Sequence, residues 1–596
     1  MILPALANYY NRIAENESCD IAPLGWENKE IPFLFVLDET GKLLDIEDTR
    51  EMGVDKKQAK SFLVPQGEKK TCGIIANLLW DSVGYVIGIL NTSGMTSNAA
   101  TKKNSRLPKE HQAFIERIEM TLFETPRKKA LLAFLYSVEK EMLCCFPNWE
   151  ELGLANSNVS FRFVSDSHLF CQSEEVKQAM MQNSASPSDK AKQFCLVTGE
   201  KDTVSNVHTA IKGVFGAQSV GANIVSFNLP SFTSYGKQQG DNAPIGKKAM
   251  FAYTTALNSL LGKNSKQRMQ IGDVSIVFWA AKKNQFEDDF LRFFSEPPKD
   301  NPNANVQCIR NLLDPVKTDA CKASSDDDIF YILGLSPNVA RISIRFWFST
   351  AVSELSDRIH EYFVDMEMDK PSYCPEFYSI WRLLVNVAIQ GKSENIPSNI
   401  VSDFIRSIMT GEAYPQSLLQ MTLRRIRSDA EYRVTPARAS LLKIIINRRI
   451  RIYPEQGEKE LSMALDINQP SIGYQLGRLF ALLSKINEEA NSGINSSFVG
   501  RYYEIACSTP ISLFGTQIRL MWHQLAKIDS KERRVQLEWQ VSEIIDHLDG
   551  FPAHLNLDEQ GKFAIGYYHQ WQTFFKKKEA EVSNQKEVED EFKRTV

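Results

Sequence analysis

Paired cysteines and ligand-spaced histidines are missing from this 596-residue chain. Its ten cysteines include no CxxC pair, and the adjacent Cys144 and Cys145 cannot chelate one ion in the ordinary way. Its eight histidines make no HExxH, HxH or His-Asp pairing, so neither structural zinc nor a hydrolytic metal centre has an anchor. Asp546–His547 has the reverse of the order that metal-dependent hydrolases use and lacks flanking ligands. Gly213, Gly216 and Gly221 do not form a phosphate loop, because Lys212 precedes the glycines instead of following them. Asp326–Asp328 reads as an acidic loop. A long apolar run is also lacking: the stretch from Cys72 to Leu90 is interrupted by Asn77, Asp81 and Ser82, too polar in the middle to cross a membrane. The first residues lack a basic segment and read as the opening of a buried helix, not a signal peptide. Free thiols in a reducing cytoplasm, no metal, no cofactor and no membrane contact are the expectation.

What is present is ordinary globular composition, 43% hydrophobic and 24% charged, with 69 basic against 73 acidic residues. That excludes a collagenous, mucin-like or largely disordered chain, and a uniformly basic nucleic-acid coat. At roughly 150 residues per domain the length allows three or four domains.

Two textures divide the chain. From Ile31 to about Phe348, short β-rich runs alternate with turns. Residues 32–46 read as a hairpin around Gly41, and later strands are expected at Ser160–Phe163, Gln193–Val197, Asn223–Phe227, Val274–Trp279 and Ala340–Trp347. Helices are expected at 109–123, 127–143 and 247–261, and Asn91–Arg106 reads as a mobile polar loop. After Phe348 the apolar period becomes helical, as in Leu537, Val541, Ile544 and Leu548. The expected fold is therefore an α+β N-terminal domain with mixed and antiparallel sheets over 1–348, followed by an all-α helical-bundle C-terminal half. That half divides into a connecting region, 349–462, and a bundle, 463–596.

Three segments suit nucleic acid. Residues 421–451 hold nine basic residues against two acidic ones. Two amphipathic helices there are expected to bury one face and aim Arg424, Arg425, Arg427, Arg448, Arg449 and Arg451 outward, where guanidinium groups grip phosphates. The alternative is a solvated basic face paired with partner acids. Residues 226–245 form a loop rich in amides and hydroxyls, with Asn228, Ser234, Tyr235, Lys237, Gln238, Gln239 and Asn242, which suits base edges or a wedge into a duplex. Composition alone favours an ordinary ordered loop. Lys69, Lys70, Thr71 and Asn77 make a third, basic stretch, with Trp80 expected in the core. Lys102, Lys103, Arg106, Lys212 and Arg478 are further candidates for backbone contacts.

At these segments the sequence closely resembles the large subunit of the type I-C CRISPR surveillance complex, Cascade. The likeness runs through Leu63-Val-Pro-Gln, Lys69-Lys-Thr, Asn77-Leu-Leu-Trp-Asp, Cys195-Leu-Val-Thr-Gly-Glu200 and Ile211-Lys-Gly-Val-Phe-Gly-Ala-Gln-Ser219. It continues through Ser226-Phe-Asn, Ser234-Tyr-Gly-Lys-Gln-Gln-Gly, Leu333-Gly-Leu-Ser-Pro-Asn-Val-Ala-Arg-Ile342 and Tyr474-Gln-Leu-Gly-Arg-Leu-Phe-Ala481. Cys72 and Ala76 depart from it, standing where the family has Ser and Pro. The resemblance implies a non-catalytic, cytoplasmic, prokaryotic subunit that reads a short motif beside the target in duplex DNA. It would help to part the strands, hold the displaced strand and dock a helicase-nuclease. The implied partners are CRISPR RNA, target DNA and the backbone, handle-binding and small subunits, with sequence specificity beyond the motif left to base pairing. It also marks Met463 as a candidate internal start for a separately translated small subunit. Two other classes compete: a metal-dependent nuclease acting alone, and a purely structural scaffold.

Overall fold

The computed structural model describes residues 1–15, 21–52, 57–68, 70, 73–90, 97–185, 192–297, 301, 304–313, 328–429, 433–455, 457–491 and 498–594, with side chains described except at 97–103, 140, 184–185 and 576–594. The chain groups into two units: residues 1–211 with 223–259, and residues 212–222 with 260–596.

The first unit is built on a four-stranded mixed sheet in the order Leu43–Asp48, Phe33–Leu37, Asn158–Phe163, Trp80–Ser82. The central pair is parallel and the outer pairs are antiparallel. The expected hairpin at 32–46 is present. Asp38 Oδ1 accepts from the amides of Thr40 and Lys42, both at 2.9 Å, and this closes the turn. Gly41 is required there: its φ is +92°, and a Cβ would stand 2.1 Å from the Ala130 carbonyl oxygen. All five residues of Phe33–Leu37 are buried, the mark of a strand covered on both faces. The helices Ser97–Thr121 and Pro126–Ser137 pack against the sheet through Phe114, Ile118, Leu131 and Phe134.

Of the expected mobile loop Asn91–Arg106, residues 97–106 begin the first of these helices, and residues 91–96 lie outside the described residues. The stripe of Leu107, Phe114, Ile115 and Ile118 anchors the helix, which continues backward through Pro108 into the small polar residues before it. Asn223–Phe227 forms no strand, and only Gln193–Phe194 of the expected 193–197 strand pairs. β-propensity without a partner edge does not make a ladder.

The second unit begins with an antiparallel sheet, Arg268–Ile271, Val274–Ala280, Ile329–Asn338 and Arg341–Ala351, in that order. One face carries Ile276, Phe278, Phe330 and Ile332 against Phe290 of Gln285–Phe294 and Leu355, Ile359 and Phe363 of Val352–Met366. This sheet thus shares its core with the helical half, although the sequence texture groups it with the preceding strands. From 352 onward the described chain is mostly helical, and one hydrophobic core runs from Ile271 to Tyr567.

The innermost pair of helices, Ile472–Ala490 and Leu557–Arg594, touches backbone to backbone. A Cβ on Gly477 would lie 2.0 Å from the Phe563 oxygen, and one on Gly566 would lie 2.1 Å from that of Tyr474. No helix among the described residues is long and apolar enough to cross a membrane.

Candidate nucleic-acid interface

The loop 226–245 lies in the first unit and is held from below. Leu196 N donates to Pro244 O at 2.9 Å, and Ser205 N donates to Ile245 O at 3.0 Å. The Asp202 carboxylate accepts from Lys248 N at 3.0 Å, capping the following helix Lys247–Leu260. Gly240 presses on the scaffold so closely that a Cβ would meet the Ser205 oxygen at 2.4 Å.

Above this base, Ser234 and Lys237 pair across a tight turn, with Lys237 N donating to Ser234 O at 2.9 Å. Tyr235 and Gly236 occupy its two central positions with φ of +50° and +72°. Positive φ at both positions defines a type I′ hairpin turn. The Asn242 side chain closes the loop from inside: its Oδ1 accepts from Ser234 N at 3.0 Å. Its Nδ2 donates to Lys237 O at 3.2 Å and to Gln239 O at 3.0 Å. Asn242 is therefore a brace, and its amide is spent inside the loop instead of facing a base edge. Asn228, Ser234, Tyr235, Lys237, Gln238 and Gln239 are exposed, Tyr235 at 99%.

In the basic stretch near 70, Lys70 is exposed but tied to a buried carboxylate. Lys70 Nζ lies 2.5 and 2.6 Å from the two oxygens of Asp81, which is buried, and 3.6 Å from the centroid of the Tyr85 ring. Asp81 also accepts from Asn77 N at 2.9 Å and Ser82 N at 2.7 Å, while Asn77 Oδ1 accepts from Glu68 N at 2.9 Å. Lys70 and Asn77 thus fold this loop onto a buried carboxylate, whose role as counter-charge sequence reading missed. Trp80 is in the core as expected, its indole N–H donating to Pro65 O at 2.7 Å. Lys69 and Thr71 lie outside the described residues, as do the side chains of Lys102 and Lys103 in the helix Ser97–Thr121. Arg106 Nε stands 3.3 Å from the buried Glu110, one turn along that helix.

The outward arginine face at 421–451 is not there. The two helices form, at Gln416–Ser428 and Pro436–Ile452, but the second is enclosed almost all round. Arg448 is 1% exposed and stands 3.1 Å from Glu361. Arg451 joins Glu361 at 2.8 Å, Glu460 at 2.6 Å and Asp365, and Arg449 pairs with Asp558. Arg425 is 3.6 Å from Asp429, and Arg427 donates to Gln560. Of the six arginines, Arg424 alone is exposed. Except for Asp429, the acids come from outside the window, so a local excess of basic residues becomes a set of internal ion pairs. Burial pushes the Asp365 carboxyl up despite Arg451, and pushes the Lys443 ammonium down. Arg478 is also internal, bonded to Gln475 at 2.8 Å and Gln570 at 3.2 Å, with burial lowering its pKa.

Lys212 is exposed at the start of the 212–222 segment. Met463 is exposed, and its carbonyl accepts from Asp369 N at 2.9 Å. Among the described residues no three His, Cys, Asp or Glu side chains are grouped to hold a metal ion. The sites proposed from sequence therefore separate: the 226–245 loop leaves Lys237, Gln238 and Gln239 exposed, five of the six arginines are engaged by internal partners, and Lys70 is tied to the buried Asp81.

No curated protein matches the chain significantly. The profile of one family, CRISPR-associated protein (Cas_Csd1), matches residues 6–575, a span that includes the loop, both four-stranded sheets and most of the helical half. The chain belongs to that CRISPR-associated family.

Proposed function

We propose that the chain is the large subunit of a type I-C, Cascade-type surveillance complex and that the loop 226–245 is where it meets the motif in duplex DNA. The observation that carries this reading is the loop's form. A braced turn holds Lys237, Gln238 and Gln239 in solvent, on a chain whose family match covers residues 6–575. Glutamine amides both donate and accept, which is what discrimination among base edges requires, and lysine adds a phosphate or guanine contact. In this reading the subunit is non-catalytic. It works with CRISPR RNA, the backbone, handle-binding and small subunits and the displaced strand, and it presents a surface to the helicase-nuclease.

The test is competition between motif-bearing and motif-lacking duplexes for the assembled ribonucleoprotein. Discrimination lost on Gln238→Ala with affinity for the motif-lacking duplex unchanged supports the reading. Equal binding of both duplexes by the unmodified complex rejects it. Cleavage of labelled DNA by the rigorously purified chain with Mg²⁺ or Mn²⁺ would instead favour a nuclease acting alone.

Met463 as an internal start belongs to the same proposal. Residues after it pack on those before it: Lys562 Nζ is 2.7 Å from Glu458, and the Tyr568 hydroxyl donates to Asp369 O at 2.8 Å. A separate product from Met463 would carry that face of the helix Leu557–Arg594 uncovered, ready for another protein surface. Persistence of a short product after the Met463 codon is changed removes this part.

A further inference from the structure

We propose that Tyr235 is the residue of this loop that stacks on an unpairing nucleobase, and that Asn242 is the positioning residue that holds it out to do so. The proposal rests on the reading that the loop meets DNA, and it divides the work within the loop.

The first observation is a local mismatch between residue and conformation. Type I′ turns favour Asn-Gly or Asp-Gly, because short polar side chains and glycine tolerate positive φ. Here the first position, at φ +50°, is held by Tyr235. An aromatic residue is a poor choice for that backbone, and the fold gains no packing in return, since Tyr235 is 99% exposed. Gly236 shows that crowding is not the reason, because a Cβ there would meet nothing within 4 Å.

The second observation is how much of the loop is devoted to keeping that turn. One side chain, Asn242, makes three hydrogen bonds to backbone groups of Ser234, Lys237 and Gln239, on both sides of the tip. Gln239, a second non-glycine residue at positive φ (+44°), is clamped by the same amide.

The third observation is charge. Residues 226–245 hold one lysine, Lys237, and one aspartate, Asp241. A loop with no net charge gains little from phosphate neutralisation, so its contacts must come from hydrogen bonds and from stacking. Stacking on an aromatic ring is indifferent to base identity. Gln238 and Gln239 would then read letters, while Tyr235 holds a base out of its stack whatever its letter.

The test uses the assembled ribonucleoprotein and duplex targets carrying 2-aminopurine, one position at a time, beside the guide-complementary segment. The unmodified complex and Tyr235→Phe are expected to raise the fluorescence of one position on binding. Tyr235→Asn suits the type I′ turn better than tyrosine does, so the melting temperature should hold or rise. The fluorescence rise should nevertheless fall about tenfold, as loss of one stacking contact implies, with motif preference kept. Asn242→Ala should lower both the rise and the motif preference, because it releases every residue at the tip. Asn242→Asp keeps the acceptor for Ser234 N but loses both donors, and should fall between.

A full rise with Tyr235→Asn overturns the proposal while leaving the loop's role intact. Loss of complex assembly with Tyr235→Asn also overturns it, because the ring would then face a protein. If Lys237→Ala with Gln238→Ala changes neither binding nor the fluorescence rise, the underlying reading of the loop falls as well.

Discussion

The helix Pro436–Ile452 carries five basic residues, and it is among the most enclosed elements of the second unit. The loop 226–245 carries a single lysine, and its tip is open to solvent on every side. The contrast shows that charge counted along a sequence does not locate charge offered to a ligand. In the helix, Glu361, Asp365, Glu460 and Asp558 reach the arginines from elsewhere in the chain, and the guanidinium groups tie helices together. In the loop one asparagine and the 193–205 segment hold the backbone, and the side chains of Lys237, Gln238 and Gln239 stay exposed.

The comparison breaks most visibly at Arg448. Arg448→Ala vacates a buried site and removes the donor to the Ser407 carbonyl, while Glu361 keeps Arg451, and the loss of such a buried contact costs about 1–3 kcal/mol. Urea denaturation is expected to show that loss, and a variant as stable as the parent would return the arginine to the list of ligand contacts. At the loop the same kind of truncation should leave stability alone and act on binding. Gln238→Ala is expected to cost about 1–3 kcal/mol of discrimination at one base position. Uniform weakening across motif variants would make Gln238 a positioning contact instead.

A pH titration sharpens the comparison on its buried side. His569 is enclosed between the Tyr474 hydroxyl, 2.8 Å from Nδ1, and the Met368 sulfur, 3.0 Å from Nε2. Burial, with Lys443 adding, lowers its pKa from 6.5 to about 3. The folded protein therefore binds fewer protons than the unfolded chain below about pH 6.5, and stability falls as pH falls from there toward 3, by about 1.4 kcal/mol per unit. His569→Gln should flatten that slope between pH 6.5 and 5, and an unchanged slope would place the acid sensitivity elsewhere. The smallest effect is expected at Arg424. Its change to alanine should alter stability by less than about 0.5 kcal/mol and lower the salt slope of target binding by about one unit if it meets a phosphate. An unchanged slope would remove the last arginine of 421–451 from the interface.

Much of the fold was legible. The Gly41 hairpin, the strands near 160, 274 and 341 and the helical texture after 348 follow from alternation, turn residues and apolar stripes. What failed depended on partners distant in sequence. Asn223–Phe227 has strand-like residues but no ladder, and residues 97–106 look like a loop but extend a helix fixed by Phe114 and Ile118. The grouping of the 268–351 sheet with the helices follows from Phe290 and Phe363 covering it, which texture does not show. At the candidate site, composition marked a segment in which the structure leaves Lys237, Gln238 and Gln239 exposed. The inward turn of Asn242, the strained backbone of Tyr235 and the capture of Lys70 by Asp81 are matters of three-dimensional proximity.

The central claim is that the sparsely charged loop, and not the arginine-rich helix, meets the DNA motif. The most direct test is the affinity of the assembled complex carrying Lys237→Ala, Gln238→Ala and Gln239→Ala together for a motif-bearing duplex. The account predicts that this affinity falls to the level of a motif-lacking duplex while the melting temperature of the subunit stays the same. Motif preference undiminished in that variant would contradict it.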